Sequence, residues 1–254
     1  MIKIENLHKS FGEFEVLKGL NTTFEKGQTN LIIGQSGSGK TVFIKCLLGL
    51  FEPEKGNICY GDMKYRELSP TKKRELRKQI GMVFQGGALF DSMTVEQNVM
   101  FPLRMFSNAS KSEMLDRVNE VLARVKLVNA NHKFPSEISG GMQKRVSIAR
   151  AVVNRPNFLF CDEPNSGLDP KTATVIDNLI QEITYDFDIT TVINTHDMNS
   201  VFEIGQKIIY LEKGKLAWEG SKSIIHKTDN EAVTKFVYSS NLYKKVRIAQ
   251  QKGY

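Results

Sequence analysis

Apolar and polar positions alternate along residues 2–7 and 16–24, the period of half-buried β-strands. The run 28–33 then becomes continuously apolar at Leu31, Ile32 and Ile33, which reads as a buried strand, and it ends in a glycine-rich turn. From Lys40 the period changes. Phe43, Ile44, Leu47 and Leu48 recur at helical spacing and predict a helix that stops near Gly49. A strand pair is expected around residues 56–60, and the charged stretch 69–78 reads as a solvated helix. Residues 86 to about 138 differ in texture, being apolar, methionine-rich and helical, with an amphipathic helix over 110–125 opened by Ser110 or Ser112 as cap. Beyond them the pattern predicts a helix over 142–154 stopped by Arg155-Pro156, a strand over 158–161, a helix over 171–184 and a β-branched strand over 189–194. Residues 208–212 and 215–218 form a hairpin about Lys213-Gly214, and the last 34 residues read as helical with a loose end. Alternation of strand and helix predicts an α/β fold with a parallel sheet covered on both faces.

Composition narrows the class. The chain has 254 residues, 41% hydrophobic and 25% charged, which excludes disordered, collagen-like and disulfide-scaffold proteins. No stretch approaches the 18 apolar residues of a membrane span, and the alternating start lacks the apolar core of a signal peptide, so a cytoplasmic protein is expected. Cys46, Cys59 and Cys161 sit in apolar contexts without metal-ligand spacing and read as packing residues. Of the net charge of +7, a balance of +5 sits in residues 221–254. A solvated basic tail, contact with an anionic membrane surface, or contact with a partner subunit each fits that excess. Phe236, Val237, Tyr238, Leu242 and Tyr243 amid the charge favour a tail that helps hold a complex together. The folded body shows no basic stripe with base-reading groups, so no nucleic-acid partner is expected.

Candidate chemistry begins at Gly34-Gln35-Ser36-Gly37-Ser38-Gly39-Lys40-Thr41, which fits G-x-x-x-x-G-K-[ST] between an apolar strand and a helix. Its backbone N–H groups and the helix start would face one anion, with Lys40 reaching the β- and γ-phosphates and the Thr41 hydroxyl on Mg²⁺. The buried strand Phe158-Leu159-Phe160-Cys161 ends in Asp162 and Glu163. Alone, such a pair reads as a helix cap; beside the loop, Asp162 becomes a magnesium ligand and Glu163 the group that orients water and accepts its proton. A second helix start, Ile138-Ser139-Gly140-Gly141-Met142-Gln143, offers a second anion site that one chain holding one nucleotide does not obviously need.

With these residues in this order the sequence resembles the ATP-binding subunit of ABC transporters over about residues 1–225. The resemblance implies a P-loop NTPase core with a mostly parallel sheet, an N-terminal antiparallel β subdomain and an inserted helical subdomain at about 86–155. These make up one ATPase domain, 1–225, followed by a basic, helical extension, 226–254. It further implies that Phe11 stacks on adenine, with Phe14 a nearby rival, and that Gln85 contacts metal and water and reports nucleotide state to the membrane subunit. Ser166-Gly167-Leu168-Asp169 matches the D-loop and His196 the switch histidine near the γ-phosphate. Ile138, Met142, Asn165 and Gly167 depart from the usual pattern, and none removes a group the chemistry needs.

By the same resemblance two copies pair head to tail, so that Ser139, Gly140 and Gly141 of each close on the ATP of the other. The stretch 87–99 with Phe101-Pro102-Leu103-Arg104, and Thr195-His196-Asp197-Met198-Asn199-Ser200-Val201, look like the ATPase of the Mla type, which drives phospholipid movement. That implies a permease, an MCE-type lipid-binding protein and a small regulatory subunit as partners, and a peripheral position on the cytoplasmic face of the inner membrane. An importer of amino acids, a lipoprotein exporter and a non-transport ABC ATPase are the alternatives. Met82, Met93, Met100, Met105, Phe84, Phe90, Phe101 and Phe106 crowd into 25 residues and either form the core of the helical subdomain or, a few of them exposed, line a groove for a permease helix.

Overall fold

The computed structural model describes residues 1–239. Three strands, β1 (Ile2–Phe11), β2 (Phe14–Phe24) and β3 (Thr29–Ile33), lead into helix α1 (Lys40–Leu47). There follow β4 (Lys55–Tyr60), β5 (Met63–Lys64), α2 (Pro70–Lys78), β6 (Ile80–Val83), α3 (Val95–Phe106), α4 (Lys111–Arg124) and α5 (Gly140–Val152). The chain continues through β7 (Phe158–Asp162), α6 (Pro170–Asp186), β8 (Thr190–Asn194), α7 (Met198–Ile204), β9 (Lys207–Glu212), β10 (Lys215–Gly220) and α8 (Glu231–Val237). The architecture is α/β, with an antiparallel sheet at the N-terminus and parallel strand pairs between helices. No helix among the described residues is long and apolar enough to cross a membrane.

The chain divides into two compact units. The first, residues 1–68 and 192–254, holds the antiparallel sheet in the order β2-β1-β4-β5. It also holds a second set of strands in the order β10-β9-β3-β8, in which β3 and β9 run parallel and β9 and β10 form the expected hairpin. Every residue of β3 is buried: Leu31, Ile32 and Ile33 are apolar where β1 and β2 alternate, while polar Thr29 and Asn30 are satisfied by hydrogen bonds to Gln206 and to the carbonyls of Ile204, Glu25 and Gln28. α8 closes this unit with Val233 and Val237 in its core, and Phe236 lies 5.3 Å from Tyr210, ring centre to ring centre. Leu242 and Tyr243, and with them the expectation for the end of the extension, lie outside the described residues.

The second unit, residues 69–191, contains α2 to α6 and the parallel pair β6–β7. Strand β6 has no counterpart in the hydrophobic pattern because Gly81 interrupts it. A Cβ there would stand 2.2 Å from the Ala151 carbonyl oxygen, so the glycine lets the α5 backbone lie directly on the strand. Ser110, rather than Ser112, caps α4, in a reciprocal box with Glu113. Helix α5 begins at Gly140, two residues before the expected 142, because Ser139 caps it and both glycines enter its first turn. Cys46, Cys59 and Cys161 are unoxidised and buried, as packing residues would be. Burial pushes the Cys46 thiol up to about 12, and the Cys161 thiol upward too, helped by the Asp177 and Asp162 charges.

Candidate nucleotide site

In the first unit β3 delivers Gly34 into a loop that only glycine can trace. Gly34 has φ 152°, and a Cβ on it would stand 2.4 Å from the Leu211 carbonyl oxygen. Gly39, at φ 106°, occupies the cap position of α1 and has no side chain to bond the free N–H groups, and the first turn of α1 carries no acid. Gln35, Ser36, Gly37 and Thr41 are exposed, whereas Ser38 and Lys40 are buried. The Lys40 ammonium donates to the Gly34 carbonyl at 2.8 Å and the Gln35 carbonyl at 3.1 Å, so the cation is curled inside the loop. Ser38 Oγ is buried without a hydrogen-bond partner among the described residues. A bare helix start, a curled-in cation and an unused hydroxyl form a donor set that suits a phosphate chain.

The same unit carries His196 and Phe11. Thr195 donates its backbone N–H to the Ile32 carbonyl at 3.2 Å, so exposed His196 follows a residue tied to the strand that feeds the 34–41 loop. Phe11 ends β1 at 45% exposure, edge-on to Phe51 with centroids 5.2 Å apart and with Lys9 Nζ 5.1 Å from its ring centre. Phe14, its rival, is 70% exposed and stands in none of these ring contacts.

In the second unit the parallel register of β6 and β7 sets Val83 beside Cys161, so the residues just past both strand ends meet. Gln85 Nε2 donates to Glu163 Oε2 at 2.7 Å. Glu163 takes φ 47°, a left-handed conformation uncommon for glutamate, immediately after half-buried Asp162. Buried Lys144 donates to the Gln85 carbonyl oxygen; burial pulls its ammonium down from the ordinary range and the Glu163 charge opposes that shift.

Lys144, Ser147 and Arg150 were not among the residues read from the sequence. Spaced three apart on α5, they bond the backbone carbonyls of Gln85, Gly87 and Ala88 and hold the loop after β6 against that helix. Their signal is a polar stripe on a helix whose other buried positions are Val146, Ile148, Ala149 and Val152.

At the other end of α5, exposed Ser139 accepts from the Met142 N–H at 3.3 Å. Gly140 faces open surroundings, the nearest atom to a Cβ being Leu168 Cδ2 at 3.8 Å, while a Cβ on Gly141 would stand 2.8 Å from Thr172 Cγ2. The Ser166 N–H donates to the Glu163 carbonyl at 3.1 Å. Asp169 caps α6, accepting from the Thr172 N–H at 3.0 Å, and hydrogen bonds from Thr172 hold its carboxyl below the usual range.

Beside the loop after β6 lies a groove of about 430 Å³. Met82, Phe84, Phe90, Phe101 and Phe106 line it, with Arg77, Lys78 and Arg150 among its walls. Phe84 and Phe90 are 44% and 39% exposed, so part of the aromatic cluster faces outward instead of packing as core. Asn98, fully buried, accepts from the Phe90 N–H and donates to the carbonyls of Phe90, Met93 and Thr94, which fixes the groove's loop wall.

The profile of the family described as "ABC transporter" matches residues 17–166. The chain is 38% identical over 236 residues to the probable ribonucleotide transport ATP-binding protein mkl of Mycobacterium tuberculosis, covering 93% of this chain and 66% of that protein. It is 36% identical over 257 residues to the methionine import ATP-binding protein MetN of Campylobacter jejuni, covering 95% and 76% respectively. Among solved structures it is similar to a dimeric ATP-binding cassette in a post-hydrolysis state bound to ADP and Pi, at TM-score 0.78 and 33% identity, over 87% of this chain and 99% of that one. It is also similar to cbiO1 of Clostridium perfringens, part of the ABC transporter complex cbiONQ, at TM-score 0.84 and 27% identity over 98% of both chains.

Proposed function

The chain belongs to the ABC transporter family, and from that premise we propose that it is the ATP-hydrolysing subunit of a membrane transporter, docked on the cytoplasmic face of the inner membrane. Its cassette is an ATPase that uses ATP with Mg²⁺. In this reading the backbone N–H groups of Gly34, Gln35, Ser36, Gly37, Ser38 and Gly39 wrap the phosphate chain, and Lys40 turns outward from the loop carbonyls to the β- and γ-phosphates. Thr41, Gln85 and Asp162 would hold Mg²⁺, which would offset charge on the phosphate oxygens. Glu163 accepts the proton of the attacking water, Gln85 fixes its carboxylate beforehand, His196 steadies the γ-phosphate and Phe11 stacks on adenine. Ser139, Gly140 and Gly141 act on the nucleotide of a second copy, and Ser166 and Asp169 shape the turn between; the dimeric cassette among the similar structures supports this arrangement.

The observation that carries the transporter reading is the outward-facing aromatic groove with its cationic side chains, held to the Gln85 loop through Arg150. An amphipathic helix of a permease fits such a groove. Phospholipid is the proposed cargo, on the likeness of residues 87–104 and 195–201 to the Mla type, with an MCE-type protein and a small regulatory subunit completing the assembly. A second reading, import of a small solute, is favoured by the names of the ribonucleotide and methionine relatives.

Mass spectrometry of what copurifies with the chain from gently solubilised membranes tests both readings. A permease with an MCE-type protein and bound phospholipid is the expected result. A permease with a solute-binding protein would replace the cargo, and repeated recovery of no membrane protein would overturn the transporter reading.

A further inference from the structure

Helix α6 buries Ala173, Ile176, Leu179, Ile180 and Ile183, and in the middle of that apolar face stands Asp177, only 2% exposed. A carboxylate buried there is costlier to fold than the leucine that would fill the same space, so its retention calls for a physical reason. Asp177 faces Asn165, itself 7% exposed, whose amide nitrogen donates to both carboxylate oxygens at 3.2 and 3.4 Å. Asn165 lies two residues beyond Glu163, inside the turn closed by the Ser166 N–H on the Glu163 carbonyl, and its own carbonyl accepts from the Leu168 N–H at 3.3 Å.

Glu163 enters this turn at φ 47°. A residue in that sparsely populated region persists only where its surroundings over-determine it. On one side the Gln85 amide holds the Glu163 carboxylate. On the other, the asparagine at the corner of the turn is held to the third turn of a rigid helix. We propose that Asp177 is a positioning residue for ATP hydrolysis, which through Asn165 holds the Glu163 turn in the conformation that aims its carboxylate at the attacking water.

The proposal rests on Glu163 being the water-activating group. Displacing a general base by a fraction of an ångström slows the chemical step and leaves ground-state binding alone. Steady-state hydrolysis by the full chain over a range of Mg-ATP, with a thermal melt of each variant, is the test. Asp177→Ala is expected to lower kcat by about 10- to 100-fold with KM within roughly twofold. Asp177→Asn, whose amide oxygen still accepts from Asn165, is expected to stay within about threefold of the wild type.

Asn165→Asp, which sets two carboxylates together, should lose turnover, and the exchanged pair Asn165→Asp with Asp177→Asn should recover both turnover and Tm. Should Asp177→Ala fail to fold, the exchange decides alone. Wild-type kcat in Asp177→Ala, or an exchanged pair that regains Tm without regaining kcat, would overturn the proposal. Glu163→Gln separates the two levels. If it hydrolyses ATP like the wild type, the assignment of Glu163 falls and this proposal with it; if it is inactive while Asp177→Ala is not, only the positioning role falls.

Discussion

Two kinds of helix start coexist in this chain. α3 and α4 are closed by their own side chains: Thr94 with Gln97 and Ser110 with Glu113 form reciprocal boxes, and Glu96 and Glu113 place a carboxylate in each first turn. α1 starts on Gly39 with no side-chain cap, α5 starts on Ser139, and neither first turn carries an acid. A carboxylate in the first turn typically stabilises a helix by about 0.3–1 kcal/mol, so α1 and α5 forgo a gain that α3 and α4 take. Helix α2 also begins without an acid, under Ser69, so the contrast gains meaning only where the bare start joins glycines and a curled-in cation, as at α1. In the proposed reading, a helix start that is to receive a phosphate is kept free of competing negative charge, at the cost of a small instability.

The strongest way to break this comparison is to fill the glycine loop. Gly34→Ala drives a methyl group against the Leu211 carbonyl at a φ that alanine rarely adopts. Mg-ATP affinity is expected to fall about a hundredfold, roughly 2.7 kcal/mol, by equilibrium titration. Gly140→Ala meets nothing closer than 3.8 Å and should leave the melting free energy within about 0.5 kcal/mol of wild type. Equal losses of affinity in the two variants would remove the distinction between a pre-shaped anion loop and a start that meets its ligand from outside.

Converting one kind of start into the other sharpens it. Met142 is the third residue of α5, so Met142→Glu completes a capping box with Ser139. Stability should rise by up to about 1 kcal/mol while ATP turnover falls about tenfold or more, because a fixed carboxylate would occupy the place of a phosphate oxygen. Met142→Gln supplies the same cap without charge and should keep turnover. Paired melts and phosphate-release assays read both, and a glutamate variant that gains stability at full turnover would mean that no anion comes to this helix.

These differences were legible in the sequence only where they are local. The 34–41 loop, the helix from Lys40, the strand ending in Asp162 and the serine at 139 each announce themselves within ten residues, since strand, turn and cap chemistry act over that range. β6 stayed hidden because Gly81, required by the approach of the Ala151 carbonyl, breaks its apolar pattern. Lys144 and Arg150 stayed hidden as well, for nothing local tells that their targets are backbone carbonyls some sixty residues away. Asn165 registered only as a departure from the usual pattern; its partner Asp177 lies on another element and emerges from tertiary packing alone. Glu163 was found as an acid, but its left-handed backbone was not foreseeable from its identity.

Caps of equal strength should separate by function. Thr94→Ala and Ser139→Ala each remove a hydroxyl that accepts from a first-turn N–H, at 3.3 Å in both helices. Each is expected to lower stability by about 1 kcal/mol in chemical denaturation. Only Ser139→Ala should also slow hydrolysis measured where the folded fraction is complete; slowing by Thr94→Ala to the same extent would show that the loss is general.

The smallest expected effect concerns acid. Glu113 is fully exposed, yet hydrogen bonds from the Ser110 hydroxyl and then the Ser110 N–H hold its carboxyl below the ordinary 4.5. A carboxyl whose folded value lies below its unfolded value binds fewer protons in the native state. Its contribution is therefore complete above the unfolded value and is lost as pH falls through the folded one. Glu113→Gln keeps an acceptor for the Ser110 N–H and removes the titration. The Tm of the wild type should thus fall toward that of the variant as pH drops from about 5 to about 3. Glu5, Glu54, Glu120, Asp169 and Glu231 are lowered by partners of their own and titrate in both proteins, so the difference between the two melting profiles isolates Glu113. Parallel profiles across that window would mean that the α4 start owes nothing to charge, and the contrast with α1 and α5 would then reduce to glycine and hydroxyl geometry.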